Sequence, residues 1–584
     1  MIRVQSLRNE VIEELTRPGG LFEMATEEVM GQPALVFTSR MRSLREMVAN
    51  TAANADREFL VLETQRLTFG DFVAQVGAAA AAMQARGMGH GDRVAIFAAN
   101  CPEWVVSFFA ATSIGAIVSA YNGWWTAGEV EYATAMSKPA LIIADHPRLE
   151  RSGTGDAKTP LVVIEHEWED FLASGRGATL GEIAVPLDED DPGVILFTSG
   201  TTGRPKGAVA THRGLIGFVQ STFMTGAVRA MSELRANPPS QPDPPSSQGA
   251  DAGPPNPPGP PDSPNRQGAD AAPPAQPVTL GTSPLFHVSG LYGTTLISMV
   301  TGGKIVYRRG RFDPEAVLQL IQDERITSVA ALGNIGARLA NHPRFGDFDT
   351  ASVVNVGFGG APASPSTQEL MRRAFPNAAA AVGMGYGSSE TVAVVAGIGG
   401  AEYLDRPTSC GRVAVGFEVE IRGLDGRLLP TGSEGEIWVR SPYTMLGYWG
   451  DPEATAQAID ENRWLNTGDI GSFDEDGYLY INSRARDMIL RNAENIYPIE
   501  IEYRLDAHPS VGESAVFGVD HPEMGQEVKA VVMPVAGTTV GVDELSEWCA
   551  EVLAPYKVPT LWEIRPDPLP RNPAGKVLKR ELSS

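Results

Sequence analysis

The chain has 584 residues, 43% of them hydrophobic, which is more than one core organises and predicts a division into domains. Lys and Arg number 47 against 71 Asp and Glu, and the resulting net charge of −24 argues against nucleic acid or anionic lipid as a partner. Cys101, Cys410 and Cys549 are scattered, which argues against a disulfide framework or a paired-cysteine metal site and fits a reducing cytoplasm.

The first residues carry Arg3, Arg8, Glu10, Glu13 and Glu14 in place of an apolar signal core, so no export is expected, and residues 1–42 read as an N-terminal extension. Ser43 to Ala53 and Thr68 to Arg86 read as helices, Arg93 to Ala98 and Ala140 to Ala144 as short apolar strands. Such alternation predicts an α/β domain of doubly wound sheets. The uncharged run Trp104 to Gly128 is long enough to raise a membrane span. It changes at Gly115 from helix-like to strand-like, which predicts a buried helix followed by a parallel strand and no transmembrane segment.

Ile195 to Phe197 reads as a buried strand entering a loop, Thr198-Ser199-Gly200-Thr201-Thr202-Gly203-Arg204-Pro205-Lys206-Gly207, built to hold phosphate. Glycines bring backbone N–H groups close to an anion, hydroxyls add neutral donors, and Lys206 adds a mobile positive charge. Pro205 before Lys206 and Gly207 after it rule out a Walker A motif. Residues 237–277 are crowded with Pro, Gly, Ser, Asp and Gln and contain a near-duplication, Gln248 to Pro255 recurring as Gln267 to Pro274. This insert is expected to be a disordered surface loop, with weak docking of a proline-binding partner as the alternative. The helix and strand rhythm resumes with Gly303 to Tyr307, Pro314 to Asp323, Ser328 to Leu332 and Val353 to Phe358. Asp476-Gly477 then marks a hairpin. From about Asp487 the pattern becomes that of a small, mobile α+β unit: helix Pro498 to Ala507, strands Glu513 to Val519 and Glu527 to Met533, helix Asp543 to Leu553, and a strand near Trp562 to Arg565. The expected boundaries are 43–485 for the large domain, including a β-rich subdomain, and 486–584 for the small one.

The 195–207 segment resembles the phosphate loop of the adenylate-forming, or AMP-binding, enzymes. Five further segments follow in that family's order. Gly359-Gly360-Ala361-Pro362 resembles the segment on which adenine stacks. Gly385-Tyr386-Gly387-Ser388-Ser389-Glu390 resembles the Tyr-Gly-x-Thr-Glu motif: Tyr386 offers an aromatic face to a purine, Ser389 keeps a hydroxyl for the α-phosphate, and Glu390 offers a hard oxygen to magnesium held by phosphates. Thr467-Gly468-Asp469 resembles the ribose clamp, where two carboxylate oxygens match a vicinal diol. Arg484 adds charge near ribose and phosphate, and Arg486 in Arg484-Ala485-Arg486-Asp487 matches the hinge between domains. Pro570 to Lys576 resembles the catalytic-lysine loop, with Lys576 at the lysine. Phe286-His287 stands where the family places a gate or orienting group beside the carboxylate pocket. Ala493 replaces a glycine common in relatives beside the pantetheine path.

The resemblance implies an acyl-CoA synthetase that uses ATP, Mg2+ and CoA. A carboxylate attacks the α-phosphate, pyrophosphate leaves, the small domain turns about Arg486, and the CoA thiol attacks the acyl adenylate. The expected acid is fatty or otherwise hydrophobic, on the strength of Val288, Gly383 and Met384 and the absence of nearby charge. Aryl-acid ligation, loading of a carrier protein, or a silent nucleotide-binding scaffold remain open. An amino-acid substrate would need an acidic anchor near Phe286 to Gly290, where none stands. Oligomeric state is open, a homodimer included.

Overall fold

A computed structural model describes residues 2–153, 159–199, 205–236, 275–361, 363–392, 394–491, 494–572 and 575–582. Gly200, Thr201, Thr202 and Ala493 lie outside the described residues, as does all of the proline-rich insert except 275–277, and of Ser199 only the backbone is described.

The first sheet runs Pro205–Thr211, Pro192–Ser199, Ile117–Ala120, Arg93–Phe97, Leu141–Ala144, Leu161–Val163, and every neighbouring pair but the first is parallel. Parallel strands need crossovers, and here helices supply them. The crossover Pro102–Ser113, between Arg93–Phe97 and Ile117–Ala120, is almost wholly buried. Two of its buried hydroxyls bond back along the helix, Ser107 donating to Glu103 O at 2.7 Å and Thr112 to Phe108 O at 2.9 Å. The uncharged run is thus core helix followed by the buried strand Ile117–Ala120. Among the described residues no helix is long and apolar enough to cross a membrane. The helix expected over Ser43 to Ala53 is shorter, Leu44–Ala49 with Ser43 as its cap, then the 3-10 turn Asn50–Asn54. Thr51 there bonds its own backbone at Val48 O, which competes with helix continuation.

The second sheet has thirteen strands. Its parallel centre holds Asn355–Gly359, Ser328–Ala330, Val278–Leu280, Lys304–Tyr307 and Glu58–Leu62, with Gly383–Gly387 joining parallel to Asn355–Gly359. Its far end is antiparallel and β-rich, through Ser409–Val413, Leu479–Arg484, Leu465–Phe473, Gly435–Arg440 and Glu418–Arg422. The hairpin between Phe473 and Leu479 turns at Gly477, φ +77°. A separate sheet of five strands, with helices Pro498–Asp506 and Val542–Ala550 on its own core, makes the small C-terminal α+β domain.

The N-terminal residues are built into the large domain. Helix Ile2–Thr16 packs on His212–Ala236, and the buried Arg40 guanidinium ties hairpin Met24–Val29/Gln32–Phe37 to Glu189 through ion pairs with Glu27 (2.6 Å) and Glu189 (2.7 Å). That pair braces the chain just before strand Pro192–Ser199.

Candidate active site

The phosphate segment departs from its sequence reading. Lys206 is not in the loop: it lies on strand Pro205–Thr211, directly across from Thr198 on the antiparallel partner. Gly207 to Thr211 are buried and hydrogen-bonded on both sides, to Pro192–Ser199 and to residues 446–449, so Pro205 and Lys206 continue a ladder that the buried residues already fix. Gly207 is required by packing, because a Cβ there would lie 2.6 Å from Ile195 Cγ2. Thr198 and Lys206 are therefore cross-strand neighbours at the described ends of the two paired strands.

Ser389 and Glu390 occupy a turn after strand Gly383–Gly387, closed by Ser388 N donating to the Thr391 hydroxyl at 2.8 Å. Val392, two residues on, has φ +59°, a strained value for a β-branched side chain, and it is held by complete burial. Glu390 Oε1 accepts from the Tyr448 hydroxyl at 3.2 Å, and the Lys206 ammonium lies 5.0 Å from the centroid of the Tyr448 ring. Tyr448 was absent from the sequence reading; its only signal there was an aromatic pair bracketed by Gly447 and Gly450.

Asp469 is 4% exposed. Its Oδ2 accepts from the Tyr386 hydroxyl at 2.7 Å and its Oδ1 pairs with Arg484 Nε at 2.7 Å, Arg484 being its cross-strand partner. Burial pushes the carboxyl up from its usual range against the pull of Arg484, while Asp469 and then Glu390 raise the Arg484 guanidinium against its own burial. Each carboxylate oxygen retains an acceptor site, so a diol still fits. The Tyr386 ring is itself buried on its strand, with its hydroxyl committed to Asp469.

Lys576 comes from the small domain. Its loop is a tight turn in which Lys576 N donates to Asn572 Oδ1 and Asn572 N to Lys576 O, both at 2.9 Å. Burial lowers its ammonium to about 8, Arg484 and Arg486 push the same way, and Asp487 and Asp469 oppose them. The turn reaches the large domain at Gly333, where a Cβ would collide with Gly575 O; both glycines have positive φ. Asn334 Nδ2 donates to Glu513 Oε1 at 2.8 Å, and Glu513 Oε2 holds the lysine loop through Arg571 Nη2 (3.0 Å) and Leu569 N (3.3 Å). Arg486 itself is exposed in the turn Ala485–Asp487 that leads into the small domain.

Gly360, φ +73°, and Ala361 follow the end of strand Asn355–Gly359. His287 stands apart from the charged cluster, with its ring 4.9 Å from Phe286 and its Nε2 buried without a partner; burial lowers it to about 4, so it is neutral at ordinary pH. Met384 does not share the surface of Gly383. It alternates to the opposite face, into the layer of Phe358 and Ile398, and its sulfur accepts from the Tyr403 hydroxyl at 3.4 Å. Among the described residues the cleft brings Lys206, Arg484 and Lys576 together with the carboxylates Glu390 and Asp469, and Arg486 and Asp487 lie near Lys576. Among the described residues no three His, Cys, Asp or Glu side chains converge as a metal site.

Residues 47–449 match the AMP-binding enzyme family and residues 500–576 match the AMP-binding enzyme C-terminal domain. The chain is 32% identical over 527 residues to a feruloyl-CoA synthase of Amycolatopsis, covering 88% of this chain and 93% of that one. It is 31% identical over 520 residues to a long-chain fatty acid–CoA ligase of Mycobacterium tuberculosis, covering 88% and 92%. Its fold is similar to ATP-bound MatB from Rhodopseudomonas palustris, with a TM-score of 0.75, 26% identity, and coverage of 93% and 98%.

Proposed function

The chain belongs to the AMP-binding enzyme family, and from that premise we propose that its cleft converts a ring-bearing hydrophobic carboxylic acid to an acyl adenylate and then to an acyl-CoA. It is an AMP-forming acid–thiol ligase. The observation that carries the residue assignments is the convergence of Lys576, Arg484, Asp469 and Glu390, drawn from both domains, in one cleft.

In this reading Asp469 accepts the ribose hydroxyls, with Arg484 and Tyr386 fixing its orientation. Gly360 and Ala361 pack on adenine. Thr198, the hydroxyl and backbone groups of residues 199–202, Ser389 and Lys206 bind the phosphates. Lys576 bridges the attacking carboxylate and the α-phosphate as charge shifts onto pyrophosphate. One hard carboxylate suits a magnesium ion whose other ligands are phosphate oxygens and water, and Glu390 fits that place. Such an ion would neutralise charge on the departing pyrophosphate. His287, neutral and buried, orients the acid without charge. The small domain then turns at Arg486, removing Lys576 and admitting the thiol.

The ring preference rests on a glycine tile. Gly357, Gly383 and Gly399 form one cross-strand row, and Gly359, Gly385 and Gly397 form the next. Strand spacing makes this patch about 10 Å across and about 7 Å along the strands, the size of a flat ring system. A Cβ at Gly357 would meet nothing within 4 Å, whereas Val394 overlies Gly385 at 3.1 Å and Arg229 lies against Gly399, so the tile is bare at one side and rimmed at the other. A flat wall gains contact with a ring over its whole face, whereas an alkyl chain needs a tube. The feruloyl-CoA synthase relative supports this preference, and the fatty-acid relative supports the alkyl alternative.

Pyrophosphate release across aryl, fused-ring, fatty and amino acids, with and without CoA, tests the reading. Ring acids giving acyl-CoA only with CoA present is the expected result. Preference for long alkyl acids would overturn the ring assignment, and adenylate persisting despite CoA would overturn the acceptor.

A further inference from the structure

We infer that Tyr448 is a positioning residue that keeps the Lys206 ammonium and the Glu390 carboxylate apart and presents each, uncancelled, to the nucleotide and its metal. The inference rests on the roles proposed above for those two side chains.

Residues 446–449 extend the first sheet along Pro205–Thr211. Leu446 N donates to Val209 O at 2.9 Å, Val209 N to Gly447 O at 3.0 Å, and Trp449 N to Gly207 O at 2.7 Å, with Tyr448 bridged to Ala208. The residue before this stretch, Met445, donates its N–H to Glu390 O at 2.9 Å. A single segment is therefore bonded both to the strand of Lys206 and to the turn of Glu390. Tyr448 N is itself held by the Thr455 hydroxyl at 2.9 Å, which fixes the side chain's origin.

From that anchor the side chain addresses both charges at once. Its hydroxyl donates to Glu390 Oε1 at 3.2 Å and its ring carries the Lys206 ammonium at 5.0 Å from the centroid. Opposite charges in a half-buried cleft attract strongly, and a direct lysine–carboxylate pair would cancel both. The phenol offers each a weaker partner instead. A hydrogen bond to one carboxylate oxygen leaves the other oxygen open to a hard cation. The electron-rich ring face stabilises the ammonium without neutralising it, so its charge remains available to phosphate.

Two substitutions separate the functions, since Tyr448→Phe keeps the ring and removes the donor while Tyr448→Leu removes both. The readouts are Mn2+ binding by electron paramagnetic resonance with α,β-methylene ATP present, binding of metal-free α,β-methylene ATP, the Mg2+ dependence of pyrophosphate release, and thioester formation from supplied acyl adenylate. Tyr448→Phe is expected to raise half-saturating Mn2+ about tenfold, the effect of one hydrogen bond to a carboxylate, with kcat at saturating metal nearly unchanged. Tyr448→Leu is expected to weaken metal-free nucleotide binding about fivefold as well, because Lys206 falls onto Glu390. Thioester formation should be unaltered in both, which marks intact folding. Wild-type Mn2+ affinity in Tyr448→Phe, with Glu390→Gln weakened, would overturn the positioning role while leaving Glu390 as a ligand. Wild-type Mn2+ affinity in Glu390→Gln would overturn the metal role itself, and unaltered nucleotide binding in Tyr448→Leu would overturn the Lys206 half.

Discussion

Lys576 is a surface lysine by composition and an unusual one by environment. It is half-buried beside Arg484 and Arg486, which is why its ammonium is lowered to about 8, and its loop supplies two backbone hydrogen bonds that keep it there. Lys576→Ala is expected to slow pyrophosphate release roughly 10²- to 10³-fold, the scale of losing one charge donor to a transition state, while thioester formation from supplied acyl adenylate stays near wild type. Equal losses in the two half-reactions would end the assignment. In the proposed role the ammonium is the active form, and with burial lowering it to about 8, kcat/KM for ATP should fall as pH rises through 8. Lys576→Arg, whose guanidinium stays charged, should remove that limb, and a limb that persists would belong to another group. The role proposed for this lysine was legible in Gly575-Lys576. The neighbours that tune it were not, since Arg484 and Asp469 are about a hundred residues away and meet it only across the cleft.

Elements, rather than single side chains, decide whether the lysine arrives. Glu513 sits at the start of a long strand of the small domain and serves two loops at once, Asn334 of the large domain and the Leu569 to Arg571 approach to Lys576. In a turn of the small domain the Asn334 bond would break while the other two stay with Glu513. Asn334→Ala should therefore weaken adenylation about three- to tenfold, the worth of one hydrogen bond to a charged group, and leave or quicken the thioester step. A parallel loss in both steps would assign Asn334 to folding instead. The phosphate hairpin teaches a related lesson. Glycines and hydroxyls suggested an anion loop running to Gly207, yet the structure places Lys206 on strand Pro205–Thr211. Sheet pairing, rather than local composition, set the address of Lys206.

At the scale of the whole molecule, two family segments, 47–449 and 500–576, fold as a large multi-sheet domain and a small one, and the charge-poor, proline-rich insert interrupts the first between helix His212–Ala236 and strand Val278–Leu280. The described end of that insert is tied down, with Gln276 donating to Glu58 O at 2.7 Å and Gly302 O at 3.0 Å. Replacing residues 237–274 with a short Gly/Ser linker should leave pyrophosphate release within about twofold, because loop length costs little once the ends are fixed. Lost activity with an unchanged melting temperature would make the insert functional. Helix and strand alternation and the order of the family motifs were legible in the sequence alone, because periodicity and turn chemistry act over a few residues. The tertiary structure decided which side chains share a cleft: Tyr448 between Lys206 and Glu390, Tyr386 on Asp469, Met384 turned away from the glycine tile. Those relations depend on strand register and on the packing of distant segments, which no local pattern encodes.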